Sequence, residues 1–541
     1  MSESKILRFP WGTKDDAQVV IIHFGSKSTP LIAQLCREIG LMSQIVKAQD
    51  LPAYWGGRVI KPKFVILSGG DQSVYDPGAL SMPDDLYRSM AEYSTVLGIC
   101  YGAQLLAKLA GGKVEKAARA EFGLVKVKAK GFGQYRGGEA IMNHRDEITE
   151  LPQGWKTVGS TDRCQYALVG NNNVWAVQFH PEMDHTHAGH SILKHLAFTR
   201  ARCSQDYRFD PEEFVQQAAE WIELTAPPGA VLCGLSGGVD SSVAFTIAHE
   251  SSVSKRLRGI YVDTGFFREG ETEEVRGYFG DERVTYVDAS SDFYDVVEAI
   301  PYPVEGKDTD REYKYYEQVR KAIGGEFIKT FLSVAQNSDQ APGSLIQGTN
   351  YSDIIESETG LKSHHNVGGL PDKLGVSIIE PLAGLYKFEI RELARCLDLP
   401  REVVHRQPFP GPGLAIRTWG RLTRDDAQPL RRANRILEEV MRKHYPDPEK
   451  RPCQYYVATA KLPSTGLVGD SRVIGYALWV RMVTAQQRES YSTLGVFHPT
   501  WEFQEELTHR LVTEVTMPDG TPFVRVAYEI TGKPPSTTEP H

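Results

Sequence analysis

The chain lacks any apolar run approaching the roughly 20 residues that cross a bilayer. Its opening residues Ser2, Glu3, Ser4 and Lys5 do not spell a secretory signal. No membrane partner is therefore expected, and the expected location is cytoplasmic. Paired cysteines are missing as well. Seven cysteines are scattered over 541 residues without a CxxC spacing, which excludes a zinc ribbon or disulfide framework and indicates reduced thiols. A basic excess is absent: 61 Lys and Arg against 69 Asp and Glu leave a net charge of −8, so nucleic acid is not an expected partner. There is no internal repeat and no low-complexity segment beyond the tail Pro534–His541. What is present is an ordinary globular composition, 41% apolar and 24% charged, on a chain long enough to predict three domains.

One further absence is informative. The segment Gly234-Leu235-Ser236-Gly237-Gly238-Val239-Asp240-Ser241-Ser242 joins the strand-like run Ala230–Leu232 to a helical run from Val243, but it has no lysine. It is therefore not a GxxxxGK[ST] phosphate loop. Its glycines allow a tight turn and close approach to a ligand, and helix N–H groups at its end point toward anionic oxygens. Ser236, Ser241 and Ser242, with Gly237, Gly238 and Val239 and the carboxylate of Asp240, form a cradle suited to pyrophosphate with a divalent cation. Asp240 is the expected Mg²⁺ ligand. The SGGxDSS spelling resembles the PP-loop of ATP pyrophosphatases, which cleave ATP between its α and β phosphates.

Among the cysteines, Cys100 calls for a functional explanation. Val96–Ile99 reads as a buried strand, Cys100 as a sharp turn and Tyr101–Leu106 as the first turns of a helix. That placement exposes a nucleophile at a strand end, over a helix N-terminus. The base and its orienting carboxylate are expected at a second strand end, in Trp175–Glu182, as His180 and Glu182. Ser68-Gly69-Gly70 after Phe64–Leu67 offers backbone donors, so the N–H groups of Gly70 and Tyr101 are the expected oxyanion hole. GxCxGxQ and FHPE together resemble the class I glutamine amidotransferases.

The two motifs complement each other. A glutaminase releases ammonia, and a PP-loop domain converts a poor leaving oxygen into an adenylate that ammonia displaces, with AMP leaving. Their order in the chain resembles the glutamine-hydrolysing GMP synthase family. The resemblance extends through Tyr261–Gly265, Gln347–Ser357, Lys362–Pro371, Pro408–Arg417 and Lys533–Pro535. It implies that Asp263, Gln347 and Gly348 join the PP-loop at ATP, and that Lys362, His364 and His365 form a lid with Asp353, Glu356 and Lys387. By residue type alone, the adjacent histidines also fit a metal site or a plain polar loop, and Asp353 and Glu356 a solvated helix face. The resemblance further implies that Gly411, Pro412, Arg417, Gln454, Lys533 and Glu539 hold the acceptor nucleotide, xanthosine 5′-monophosphate (XMP). Glutamine, ATP and Mg²⁺ are the other implied ligands, and a homodimer the implied assembly.

The expected architecture is α/β: an amidotransferase domain over 1–204, a doubly wound PP-loop domain over 205–406, and an α+β dimerisation and nucleotide-binding domain over 407–541. Several stretches depart from the family pattern. They include His23–Lys27, Asn143-His144-Arg145-Asp146, Ala322-Ile323-Gly324-Gly325, Lys387-Phe388-Glu389, the region Met482–Phe503 and the tail after Pro535. These changes are expected to gather around the acceptor, which leaves open a paralogue that aminates another purine-like nucleotide by the same chemistry. A nucleotide-binding regulatory protein with a degenerate site is disfavoured by the complete Cys100, His180 and Glu182 set. A PP-loop tRNA-modifying enzyme is disfavoured by the acidic balance.

Overall fold

A computed structural model describes the chain apart from residues 1–5, 12–16, 59, 184, 187, 304–308, 338–339, 359–375, 410, 460, 485–494, 533–535, 538 and 541. The side chains of 309–312, 356–358 and 468 also lie outside the described set. Among the described residues, no helix is long and apolar enough to cross a membrane.

The first strand of the chain, β1 (Ile6–Arg8), does not join the strands that follow it. Those are β2 (Val19–His23), β3 (Ser43–Lys47), β4 (Phe64–Leu67), β5 (Thr95–Ile99), β6 (Lys113–Phe132), β7 (Tyr135–Glu150), β8 (Lys156–Ser160), β9 (Leu168–Gly170) and β10 (Val174–Val177). They form a nine-stranded sheet in the order β3-β2-β4-β5-β10-β9-β8-β6-β7. The half from β3 to β10 is parallel. Strands β2, β4, β5 and β10 are wholly buried, as parallel strands covered on both faces must be. Helix α1 (Thr29–Glu38) packs into one face and α2 (Tyr101–Leu109) into the other. The remaining strands are antiparallel. The long β6–β7 hairpin departs from the simple strand-helix alternation expected of this region.

The second sheet holds β11 (Ala230–Gly234), β12 (Leu257–Asp263), β13 (Val284–Asp288), β14 (Pro342–Ile346) and β15 (Ser377–Glu380), with β1 on its edge. Its order is β1-β15-β14-β11-β12-β13, and every pairing is parallel. This is a doubly wound sheet whose direction of winding reverses at β11 and β14. Its helices include α3 (Pro211–Thr225), α4 (Val239–Glu250), α5 (Glu271–Phe279), α6 (Thr309–Gln336), α7 (Tyr351–Glu358) and α8 (Lys387–Cys396). The Asp210 carboxylate caps α3 by accepting from Glu213 N at 3.2 Å.

The expected first boundary needs correction, because residues 6–11 belong to this second unit. Phe9 and Trp11 seat their rings on Phe214 of α3, with centroids 5.4 and 5.1 Å apart. These aromatics follow β1 into a core already rich in rings, so burial outweighs nearness in sequence.

The third unit is built on β18 (Ser471–Thr484). It pairs antiparallel with β16 (Gln454–Thr459), β17 (Ser464–Val468) and β19 (Gly495–Val496), and parallel with β20 (Phe523–Glu529). Helices α9 (Arg424–His444) and α10 (Trp501–Glu514) cover it. Buried Asn434 locks α9 to β16, donating to Val457 O at 2.8 Å and accepting from Val457 N at 3.0 Å. The expected boundary at 406/407 also shifts. Ala415, Leu422 and Ala427 pack in the second sheet's core with Leu232 and Ile260, whereas the third core begins at Ala433. The division between the two therefore runs through α9.

Candidate active sites

Cys100 ends β5 and precedes α2. Its backbone sits at φ 51°, ψ −105°, a region that a non-glycine residue occupies only under constraint from its neighbours. Cys100 N donates to Val177 O of β10 (2.8 Å), and Gly102 N donates to Ser68 O beyond β4 (3.1 Å). A Cβ on Gly98 would fall 2.5 Å from Gly102 O, and one on Gly102 would fall 2.5 Å from Leu67 O. Two glycines thus let the turn nest against β4, and the cysteine is presented at the strand end where the helix dipole favours negative charge.

His180 follows β10 and is fixed by donating its N–H to Ile141 O of β7 at 2.9 Å. Its Nδ1 lies 2.8 Å from Glu182 Oε1, which also accepts from Ser28 Oγ at 2.6 Å. Burial alone would lower the imidazole pKa, but Glu182 on one side and Cys100 on the other hold it well above the ordinary value. Burial likewise works against the Glu182 charge, yet His180 and Ser28 keep its pKa below the usual carboxylate value. The two directions favour the charged pair that forms once His180 holds the Cys100 proton. Gly69-Gly70 lies over this site: a Cβ on Gly69 would be 3.7 Å from Cys100 Cβ, and one on Gly70 would be 3.2 Å from the Tyr101 ring. The structure therefore brings together all five residues expected here. Ser28 was not among the expected residues. Behind the site, Glu121, His144 and Cys164 converge with potential ligand atoms within 4.8 Å of one another. Thr161 donates to Glu121 and Cys164 bonds Glu147, which closes this group as a buried polar cluster.

The PP-loop occupies the crevice at the C-terminal ends of β11 and β14, where doubly wound sheets bind ligands. Its hydroxyls turn on the loop itself. Ser236 Oγ and Ser241 Oγ are 3.1 Å apart, and Ser241 and Ser242 donate to Gly238 O at 3.1 and 2.9 Å. Lys387 Nζ lies 2.5 Å from Asp240 Oδ2, while Asp240 Oδ1 is buried without a hydrogen-bond partner among the described residues. Gly348 lies directly on the loop, since a Cβ there would fall 2.7 Å from the Asp240 carbonyl carbon. The neighbouring Gln347 donates its N–H to Ile379 O at 3.0 Å. Asp263, at the end of β12, accepts from Gly265 N (2.8 Å) and from Thr272 Oγ1 (2.6 Å).

The Asp353 carboxylate accepts from Asn350 N (3.2 Å), and Asn350 Oδ1 accepts from Asp353 N (3.1 Å), a reciprocal pair at the start of α7. Glu356 lies on α7 with its side chain outside the described set, and Lys362, His364, His365 and Lys533 lie outside the described residues. Sequence reasoning also missed Arg406, which pairs with Glu271 and whose Nη1 would stand 2.0 Å from a Cβ on Gly237. Burial, reinforced by the like charge of Arg268, lowers its pKa to about 10.

Where the second unit meets the third, fully buried Arg417 lies between the rings of Phe409 and Tyr456, 4.8 and 4.5 Å from their centroids. One nitrogen meets Glu539 Oε1 at 3.3 Å. Nε and Nη1 have no hydrogen-bond partner among the described residues, and neither does Oε1 of nearby Gln454. Burial lowers the Arg417 pKa, with Glu539 opposing it. Gly411 has open space on its Cβ side, and Pro412 leads into Gly413, whose Cβ position would lie 2.4 Å from Phe266 O. Glu539 is brought here by the C-terminal tail. Buried Arg481, another residue missed from sequence, holds that tail through Ser536 Oγ (2.6 Å) and Thr537 O (2.9 Å).

The model of the family described as Glutamine amidotransferase class-I matches residues 20–199, and that described as GMP synthase C terminal domain matches residues 439–540. Glutamine-hydrolyzing GMP synthases of Staphylococcus carnosus TM300, Staphylococcus saprophyticus and Staphylococcus aureus JH9 are each 34% identical to the chain over 543 residues. The match covers 97% of this chain and 99% of theirs. The chain belongs to the glutamine-hydrolysing GMP synthase family.

The described departures from the family pattern lie in several parts of the fold. Arg145 is on the exposed side of β7, and Gly325 is on the exposed face of α6 with nothing within 4 Å of its Cβ position. Phe388 packs against the amidotransferase core, with its ring 9° from the plane of Tyr386. Met482 and Phe503 are core residues of the third unit. Phe388 is thus an interdomain contact.

Proposed function

We propose that the chain aminates XMP to GMP with ammonia from glutamine, through an adenylated XMP that forms with release of pyrophosphate. Cys100 Sγ attacks the glutamine amide, its proton passing to His180 and from there to the departing ammonia. Glu182, itself held by Ser28, orients the imidazole. Gly70 N–H and Tyr101 N–H stabilise the oxyanion. Water then releases glutamate from the thioester.

At the second site, Ser236–Ser242 with Gln347, Gly348 and Asp263 bind ATP so that the XMP oxygen attacks its α-phosphate. Asp240, through its unpartnered Oδ1, is the residue to hold Mg²⁺, which supplies charge neutralisation for the leaving pyrophosphate. Lys387 neutralises phosphate charge beside it. Arg417 seats the acceptor's phosphate with two donors that lack partners, and Gly411, Pro412, Gln454, Lys533 and Glu539 border the nucleotide. Ammonia displaces AMP from the adenylate. Leu467 and Ile474, diagonal neighbours on one face of the β17–β18 hairpin and 75% and 72% exposed, are the proposed contact of a homodimer. The remaining proposed partners are small molecules, in the cytoplasm.

The observation that carries this reading is Cys100, held at a strained strand end against the His180–Glu182–Ser28 chain. The PP-loop in the same polypeptide gives the released ammonia its use. The experiment supplies XMP, ATP and Mg²⁺ with either glutamine or ammonium and assays GMP, AMP and pyrophosphate. Both nitrogen sources are expected to give GMP, and Cys100→Ala is expected to lose glutamine use while keeping ammonium use. Absence of GMP from either source would overturn the assignment of XMP. Loss of both activities in Cys100→Ala would overturn the division of labour.

A further inference from the structure

Two side-chain amides stand beside the nucleophile, and their orientation is fixed by a chain of hydrogen bonds. Gln104, on α2, donates through Nε2 to Asp146 O at 2.7 Å. A backbone carbonyl can only accept, so this contact decides which end of the Gln104 amide carries nitrogen. The same nitrogen lies 3.3 Å from Gln178 Oε1, which must also accept. Gln178 is thereby turned to present Nε2 to Cys100 Sγ, at 3.7 Å. Its side chain has no solvent route to another orientation, since the residue is only 1% exposed, and its backbone N–H is tied to Ala167 O at 2.9 Å.

The rest of the surroundings of Sγ make this donor significant. From β7, Asn143 O lies 3.6 Å from Sγ, where it accepts from the thiol. That carbonyl stabilises the protonated sulfur and repels a thiolate. The loop after β4 brings Gly69 beside the cysteine, where a Cβ would fall 3.7 Å from Cys100 Cβ. The titratable group in contact is His180, with Glu182 and Ser28 behind it. Once the proton has moved from Sγ to His180, the sulfur needs a neutral donor opposite the Asn143 carbonyl. Gln178 is the side chain placed to be that donor, and Gln104 keeps it from flipping.

We propose that Gln178 is a further catalytic residue of the glutaminase, donating an N–H to Cys100 Sγ and holding the charge of the attacking sulfur, with Gln104 as its positioning residue. The proposal rests on Cys100 being the nucleophile. No bond to Gln178 forms or breaks: the thiol proton passes to His180, and the sulfur lone pair attacks the glutamine carbonyl carbon.

The test uses the full-length chain with Gln178→Leu, the isosteric Gln178→Glu and Gln104→Leu. Melting temperature serves as the control for folding. Hydrogen bonds to charged groups are worth about 1.5–3 kcal/mol, or roughly 10- to 150-fold in rate. Gln178→Leu is therefore expected to lower kcat for glutamine by about that factor while KM changes little. Its profile of iodoacetamide alkylation at Cys100, followed by mass, should move to higher pH. Gln178→Glu, which replaces the donor with an acceptor charge, should move the profile further, and Gln104→Leu should shift both readouts less in the same direction. An alkylation profile and kcat for Gln178→Glu that match the unsubstituted protein would overturn the proposal. Glutamine hydrolysis surviving in Cys100→Ala would instead overturn the nucleophile assignment, so the two failures are distinguishable.

Discussion

At the scale of the residue, Arg417 shows how a site keeps an unsatisfied group in readiness. Its guanidinium is wholly buried between two rings, with Nε and Nη1 unpartnered among the described residues, and each such buried donor costs about 1–3 kcal/mol. If Arg417 seats the acceptor's phosphate as proposed, binding recovers that cost. Arg417→Met keeps the contact with Phe409 and Tyr456 but removes the orphaned donors. It is expected to raise the melting temperature of the ligand-free protein by roughly 2–4 °C while raising KM for XMP at least about tenfold. A lowered melting temperature with unchanged KM would show the arginine to be structural. Individual residues were unequally legible. Cys100 and His180 stand in dense signatures whose spacing already implies strand ends. Ser28 stands before Thr29-Pro30, an ordinary helix start, and only the fold carries its hydroxyl 154 residues away to Glu182. Gln178 sits within the same signature as His180, but its partner Cys100 is on another strand.

At the scale of the element, α9 joins two cores, and its buried charges make that joint sensitive to acid. Glu438 meets Arg268, Arg442 Nε at 2.8 Å and Tyr455 OH at 2.8 Å. Burial opposes its charge, but the two arginines and the tyrosine lower its pKa to about 2. An unfolded glutamate titrates near 4.3. The stabilisation is therefore complete above that value and is lost as pH falls toward about 2. Glu438→Gln should melt well below the unsubstituted protein at pH 6–7, on the order of 3 kcal/mol less stable, and the gap should close progressively below about pH 4. A gap constant across that window would exclude the ion pairs as its source. The elements that sequence reasoning located were those with unbroken apolar runs, such as β2, β4 and β5. The β6–β7 hairpin was not legible because its exposed positions mix charged residues such as Lys126, Lys128 and Lys130 with Phe122 and Leu124, so no continuous apolar alternation runs along it. The boundary at 406 was set by the prolines and glycines of 408–413. These mark a rigid loop, but that loop packs on Phe266 and so lies inside the second unit.

At the scale of the whole molecule, the first turn of α8 touches both chemistries. Lys387 holds Asp240 of the PP-loop, Phe388 packs on the amidotransferase core, and Glu389 meets Arg37 of α1 at 3.3 Å. Tyr207 and Tyr386 stack their rings on the same guanidinium. The other end of α1 carries Ser28 against Glu182. Arg37→Met is therefore expected to lower the ratio of glutamine-dependent to ammonium-dependent GMP formation several-fold, since only the former uses both ends of this contact. An unchanged ratio would confine the pair to stability. The chain also binds its two halves from the opposite direction. β1 closes the edge of the second sheet beside β15, and Arg8 Nε meets Glu380 Oε2 at 2.9 Å. Glu380 Oε1 in turn accepts from Thr349 Oγ1 at 2.7 Å, one residue from the Gly348 that lies on the PP-loop. Because β1 precedes β2 and α3 follows the amidotransferase sheet, that sheet is anchored to the second unit at both of its ends. Removing residues 2–11 would expose the edge of β15, which invites strand pairing between molecules, and would uncover Phe214 and Trp221. With about 1.5–3 kcal/mol for each large apolar side chain lost, the second unit should melt roughly 5–10 °C lower. Ammonium-dependent synthesis should fall with it, because Glu380, which accepts from Thr349, loses the Arg8 that braces it. If Phe9→Ala together with Trp11→Ala lowers the melting temperature as far as the deletion while sparing ammonium-dependent kcat, the aromatic rings anchor the unit and the Arg8–Glu380–Thr349 chain braces the PP-loop. If the deletion spares both stability and kcat, the added strand has neither role.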